Sequence, residues 1–364
     1  MKRAALAVGL LFAVLALTAC TNGVEADGAH ADPAHARIGL LLPDSVTARY
    51  EAADRPFFET RIRELCPGCT VLYANADGDA AKQQQQAESM ITQGASALVL
   101  DPFDGEAAAS IVGEARTKDI PVISYDRLID SKDIAYYLSF DNEKVGRLQA
   151  TALVDRLRTK GVPRGGGILM VNGPATDNNA TLFKRGAHSV IDPSGYKVLA
   201  EYDTPAWDPA KAQDWVSGQI SQFGSRIAGV YAANDSVGGG VIASLKGAEV
   251  SPVPPVTGQD AEVAGIQRIL TGDQFMTVYK AIEPEARRAA ELAVALTRGE
   301  KPAAPATVRP GAGGSVPSFL LDPVTVTVDN IEQTVVRDRF YGPGTVSTIC
   351  TPSYQAACAR YGIG

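Results

Sequence analysis

The chain has 364 residues, of which 45% are hydrophobic and 21% charged, with a formal net charge of -7. Its length suits two domains rather than one, and its acidity excludes nucleic acid as a partner, because phosphate binding needs a basic footprint. Beyond the first twenty residues no apolar run reaches the length of a membrane helix.

The N-terminal "MKRAALAVGLLFAVLALTAC" carries Lys2 and Arg3, an apolar stretch from Ala4 to Leu17, and then Thr18, Ala19 and Cys20. The apolar stretch is too short and wrongly flanked for a stable span, which makes it a secretory signal. Its end, "LTAC", resembles the lipobox of bacterial lipoproteins, in which cleavage precedes the Cys and the thiol is lipidated. Residues 1-19 are therefore expected to be a lipoprotein signal peptide, and Cys20 the anchor at the outer face of the cell membrane. The next run, "TNGVEADGAHADPAHA", lacks large apolar residues and predicts a flexible tether over 20-36. His30 and His35 fall in it without the fixed geometry that a metal site needs.

From Arg37 the pattern alternates: "RIGLLLP" reads as strand, "RPFFETRIREL" as helix, "TVLYAN" as strand, "AAKQQQQAESMITQG" as helix, and "SALVL" as strand. "EAAASIVGEARTKD" is a further helix and "IPVISY" a further strand. After Asp141 the alternation restarts with "GGILMVNG", "NATLFKRGAHSVI", "YKVLAEYD", "AQDWVSGQISQFG", "IAGVYAAN" and "VGGGVIASLKG". Short β-rich runs between amphipathic segments imply βαβ units and parallel sheets, here in two similar α/β lobes. The four remaining cysteines form two local pairs, Cys66 with Cys69 in "CPGC" and Cys350 with Cys358. In an exported chain such pairs read as disulfides that pin short loops. A redox "CPGC" would open a helix, whereas this one follows a helix and precedes a strand.

Open parallel sheets bind ligands outside the carboxyl ends of their strands. Polar outliers collect at those ends: Arg49 and Tyr50 after the first strand, and Asp126 and Arg127 after "VISY". In the second half they are Asp177, Asn178 and Asn179 after "LMVNG", Trp207 after "AEYD", Asn234 and Asp235 after "VYAA", Asp260 after "VTGQ" and Lys280 after "MTVY". Singly, such residues cap helices or make surface ion pairs; their recurrence on strand after strand points to a shared lining. Asp accepts, Arg and Lys donate, Asn does both, and flat aromatic rings cover C–H faces. Roughly balanced charges with aromatic rings suit a neutral, hydroxyl-rich ligand such as a sugar.

The runs "YDRLI", "SFDNEKVGRLQATALV", "DNNATLFKRG", "AAND", "GQDAEVAGIQRI" and "TVYK", in that order, resemble the D-xylose-binding proteins of bacterial ABC importers. These belong to the periplasmic binding protein class that includes ribose- and galactose-binding proteins. The resemblance runs from about Arg37 to about Lys301. It implies a type I fold of two doubly wound parallel-sheet lobes joined by a hinge, with 37-140 plus 281-321 in one lobe and 141-280 plus 322-364 in the other. It also implies sugar contacts from Arg49, Asp126 and Arg127 on the first lobe, and from Asn178 or Asn179, Asn234 and Asp260 on the second. Lys280 would stand at the hinge, and Tyr50 and Trp207 would flank the ring. The expected partners are a monosaccharide (xylose, or else glucose, galactose or arabinose) and a membrane permease, with the protein a monomer that uses no cofactor or metal. The "CPGC" insert and the "ICTPSYQAACARYGIG" tail depart from the pattern expected of periplasmic members. Two other classes remain open: a sugar sensor that signals through a receptor, and a glycoside-processing enzyme using Asp126 with Asp260.

Overall fold

The six-residue run Arg37–Leu42 (β1) is buried from its second residue onward, as a strand covered on both faces must be. The computed structural model describes residues 32–364; the signal segment, Cys20 and the tether as far as residue 31, with His30, lie outside the described residues. At the start of the described part, Pro33–His35 forms a short 3-10 turn and Ala36 is buried.

The first lobe continues with helix α1 (Arg55–Leu65), β2 (Thr70–Asn75), α2 (Ala80–Thr92), β3 (Ala97–Leu100), α3 (Ala109–Arg116), β4 (Val122–Tyr125) and β5 (Tyr136–Phe140). The second lobe begins with α4 (Asn142–Thr159), β6 (Gly167–Asn172), α5 (Asn178–Ser194), β7 (Lys197–Asp203), α6 (Pro209–Phe223), β8 (Ile227–Ala232), α7 (Asp235–Gly247), α8 (Val263–Thr271) and β9 (Thr277–Tyr279). Helix α9 (Ile282–Thr297), β10 (Ala306–Val308) and β11 (Val316–Leu321) return to the first lobe. Strand β12 (Val324–Val326) and the short helices α10 (Thr345–Ile349) and α11 (Gln355–Arg360) end the chain.

The first sheet has seven strands in the order β10-β11-β5-β4-β3-β1-β2, all parallel to their neighbours except β10. The second is built on parallel β7-β6-β8. A parallel bridge from Val230 to Val256 extends it, and Phe275 N donates to Val256 O at 2.9 Å to bring in the antiparallel β9-β12 ribbon. The chain therefore passes between the sheets three times, after Phe140, after Tyr279 and after Leu321. Two parallel-sheet lobes joined by three crossings are the architecture that the resemblance implies.

Strand ends are converted into helix starts by side chains that accept backbone N–H groups. Asp79, Asp141, Asp177, Asp208 and Asn234 do this for α2, α4, α5, α6 and α7. The residues that start these helices consequently sit at the rim where both sheets end. One close approach fixes the height of α5. A Cβ on Gly146 would lie 1.9 Å from Phe183 O, and one on Gly186 would lie 2.1 Å from Glu143 O, so α4 and α5 touch backbone to backbone. Disulfides join Cys66 to Cys69, in the turn between α1 and β2, and Cys350 to Cys358 in the C-terminal segment.

Candidate functional site

In the first lobe the chain leaves β1, turns at Asp44, and enters a one-turn π-helix over Tyr50–Asp54 that carries Arg49 and Tyr50 inward. Arg49 is only 5% exposed. Asp54 grips it in fork geometry at 2.6 and 3.0 Å. Glu285 on α9 lies 3.4 Å from the same guanidinium, Asp126 3.1 Å away and Asp260 3.8 Å away. At the end of β4, Asp126 has a left-handed backbone (φ 52°), a conformation that costs a non-glycine residue about 1 kcal/mol. Arg127 follows, with Asp44 at 3.2 Å, Asp177 at 3.0 Å and Asp101 at 3.8 Å. The Tyr50 ring centre lies 5.2 Å from the Arg49 guanidinium and 5.7 Å from that of Arg127.

In the second lobe Asp177 accepts from Asn179 N at 2.8 Å as the cap of α5, and from Trp207 Nε1 at 3.0 Å. Trp207 lies so close to Gly173 that a Cβ there would stand 2.2 Å from the indole. Asn179 donates across the gap to the Asp126 carbonyl at 2.9 Å, while its own Oδ1 accepts from Asn142 at 2.8 Å. The Oδ1 of Asn234 caps α7 through Val237 N at 2.9 Å. Asp260 and Ala261 are both left-handed (φ 86° and 48°) and turn the Asp260 carboxylate toward Lys280 Nζ at 3.0 Å.

Arg49, Tyr50, Asp126, Arg127, Asn179, Trp207, Asn234, Asp260 and Lys280 meet around one small cavity drawn from both lobes. The free space left between these side chains is about 20 Å³, room for about one water, so the site is tightly closed. Asn178, carried forward beside Asn179, does not line the cavity. It is the first residue of α5, where successive residues turn by about 100°, so only one of the pair faces inward. Thr47, Asp177, Phe183 and Gln259 complete the wall. Gln259 adjoins Asp260, and Phe183 stands one helical turn after Asn179, so position relative to the marked residues was the available signal. Asp101 ends β3 under the same strand-end rule, whereas nothing in the sequence marks Glu285. Larger surface grooves exist, such as the one beside α3 lined by Val112, Ile120, Tyr136 and Pro317, but the buried ion pairs are not there.

Three cations, Arg49, Arg127 and Lys280, share the wall with three carboxylates, Asp126, Asp177 and Asp260. Burial works against the charge on Asp126, yet Arg49, Lys280 and Arg127 outweigh it and hold the carboxyl below its usual range. Burial pushes Asp101 and Glu285 well up, against the pull of Arg127 on the first and Arg49 on the second. Cationic and acidic groups are thus mixed around the cavity rather than gathered into a patch of one sign. Gln259 Oε1 is buried without a hydrogen-bond donor, while Asp260 Oδ1 is ion-paired with Lys280 Nζ at 3.0 Å. Unmet buried acceptors of this kind suit a ligand that brings hydroxyl donors. Among the described residues, no cluster of three or more His, Cys, Asp or Glu is placed to hold a metal ion.

Residues 38–301 match the family model described as "Periplasmic binding protein domain". The chain is 39% identical over 330 residues to the D-xylose-binding periplasmic protein of Escherichia coli, covering 89% of this chain and 96% of that one. It is 32% identical to the multiple sugar-binding periplasmic receptor of Rhizobium radiobacter, covering 84% and 90%. A carbohydrate transporter solute-binding protein from Chloroflexus aurantiacus, solved in complex with D-glucose, superposes with a TM-score of 0.77 at 28% identity. It covers 85% of this chain and 97% of its own.

Behind the wall, Asp235 accepts from Glu262 N at 2.8 Å, Thr277 Oγ1 at 3.0 Å and Gln274 Nε2 at 2.6 Å, while Ser236 donates to Glu262. Burial pushes Asp235 up to about 7; burial and then the charge of Asp235 push Glu262 up to about 8. Both acids bind protons more tightly folded than unfolded, where carboxyls titrate near ~4. Their stabilisation is complete below that value and is lost as pH rises through the folded values. The urea midpoint is therefore expected to fall between about pH 5 and pH 8, with a shallower fall in Glu262→Gln. Equal slopes for the two proteins would contradict the assignment.

Proposed function

Because the chain belongs to the periplasmic binding protein family, we propose that it captures one monosaccharide, D-xylose, between its two lobes and delivers it to a membrane ABC permease. It acts as a binding protein and not as an enzyme, in keeping with relatives that are named for binding. The observation that carries this reading is the cavity itself. Side chains from the strand ends of both lobes surround a small space where cations, acids and aromatic surfaces are mixed and where Gln259 Oε1 is buried without a donor.

Each group has a task in this reading. The Arg127 guanidinium is held in place by Asp44 and Asp177, so its remaining N–H groups are set to donate to ring hydroxyls. Asp126 and Asp260 accept hydroxyl protons, and Asn179 and Asn234 offer amides. Tyr50, Phe183 and Trp207 cover the apolar C–H faces of the ring. The ligand contacts both lobes only when they are closed, so the sugar favours the closed form by its differential affinity, and the three crossings act as the hinge.

Glucose is the second reading, favoured by the glucose complex of the Chloroflexus aurantiacus protein. The two sugars differ by the hydroxymethyl group, so the discrimination rests on the space that the lobes leave at one edge of the ring. Lipid attachment at Cys20 is part of the same reading, supported by the "LTAC" sequence, and would keep the protein beside its permease.

Calorimetry on a soluble form beginning after Cys20 tests the capture. The expected result is one-to-one binding of xylose, tighter than that of glucose, galactose, arabinose or ribose. Arg127→Ala is expected to lose at least about a hundredfold in affinity, since a buried charged hydrogen-bond partner is removed. Absence of heat with every monosaccharide would defeat the reading, and tighter glucose binding would replace xylose. For the anchor, full-length protein is expected to partition into detergent and Cys20→Ala into the aqueous phase. Identical partitioning would remove the lipid from the account.

A further inference from the structure

The corner at Asp260 and Ala261 carries two successive left-handed non-glycine residues, a costly conformation that persists only where the surroundings hold it. Three of its restraints come from the second lobe. Asp260 N donates to Val278 O at 2.9 Å, Ala261 N to Thr277 Oγ1 at 3.2 Å, and Glu262 N to Asp235 at 2.8 Å. The fourth comes from the C-terminal segment: the Tyr341 hydroxyl donates to the carbonyl of Ala261, a fully buried residue.

The same segment is fastened on both sides of the corner. Asp338 accepts from the Tyr279 hydroxyl at 3.2 Å, and Phe340 meets the Tyr279 ring edge-on at 5.1 Å. Ile331, Val335, Phe340, Ile349 and Cys358 share one core with Ile266 and Ile269 of α8, and Gln267 donates to Ile349 O at 3.1 Å. Tyr279 immediately precedes Lys280, and Ala261 immediately follows Asp260. Residues 338–341 thus hold the neighbour of each member of the Asp260–Lys280 pair, whose charged atoms are 3.0 Å apart.

We infer that Tyr341 is a positioning residue for sugar binding, acting through the Ala261 carbonyl to aim the Asp260 carboxylate into the cavity. This rests on the sugar-capture reading above. Tyr341 does not line the cavity, so its contribution passes entirely through Asp260. Losing its hydroxyl leaves a buried carbonyl without that donor and frees a strained corner to relax.

The test is Tyr341→Phe, which keeps the ring against Phe340 and removes only the hydroxyl. Two readouts are needed. Hydrogen exchange of the sugar-free protein is expected to quicken by roughly threefold or more at the amides of Asp260, Ala261 and Glu262, and to stay unchanged in the first lobe. Calorimetry with xylose is expected to show roughly tenfold weaker binding in Tyr341→Phe, but less than about a twofold further loss when Tyr341→Phe is added to Asp260→Asn. Unchanged exchange at the corner, unchanged affinity, or full multiplication of the two losses would each overturn the inference. Exchange needs no sugar, so it decides the role of Tyr341 even if the unsubstituted protein binds no monosaccharide, a result that would count against sugar capture alone.

Discussion

A buried guanidinium has to be matched, and Arg49 is matched from both lobes at once. Its desolvation alone costs several kcal/mol. Asp54, Glu285 and Asp126 from the first lobe and Asp260 from the second surround it. Arg127 repeats the arrangement, with Asp44 and Asp101 from its own lobe and Asp177 from the other. These cross-lobe pairs exist only while the lobes are closed. Their Coulomb gain, about 4 kcal/mol at 4 Å in a dielectric of about 20, is of the same order as the desolvation that closure imposes. In the proposed capture, a small neutral molecule that adds hydrogen bonds to these groups would favour the closed form over the open one.

The acids around the cations do not behave alike. Asp126 is held below its usual range by Arg49, Lys280 and Arg127 against the cost of burial, whereas burial raises Asp177 although Arg127 lies 3.0 Å away. Asp101 and Glu285, at 3.8 Å from Arg127 and 3.4 Å from Arg49, are pushed well up by burial. The cations are held rigidly by these acids, and a rigid donor loses less entropy when a hydroxyl arrives. The close contact of α4 with α5 and the indole of Trp207 against Gly173 serve the same end by fixing where the second lobe presents Asn179 and its aromatic rings.

How much of this was legible in the sequence depends on the range of the signal. Alternating apolar runs and helical segments give parallel sheets, and the sheet rule then directs attention to strand ends. Asp126, Arg127, Asn234 and Asp260 were found in that way, and all four line the cavity. Glu285 was not, since it lies on a helix 236 residues from Arg49 in sequence and only folding brings them together. Asp54 was hidden in a π-helical turn that no periodicity announces. The choice between Asn178 and Asn179 needed the rotation of α5, which residue order does not carry. The C-terminal segment read as a departure with a local disulfide, yet its Tyr341 reaches the backbone beside Asp260.

The central claim is that two lobes sharing one set of buried ion pairs close around a neutral sugar. Small-angle scattering of the form beginning after Cys20, with and without saturating xylose, tests it most directly. A fall in the radius of gyration on adding the sugar, absent in Asp126→Ala, is what the shared network predicts. An unchanged radius in the presence of bound sugar would mean that binding and closure are not coupled, and would contradict the account.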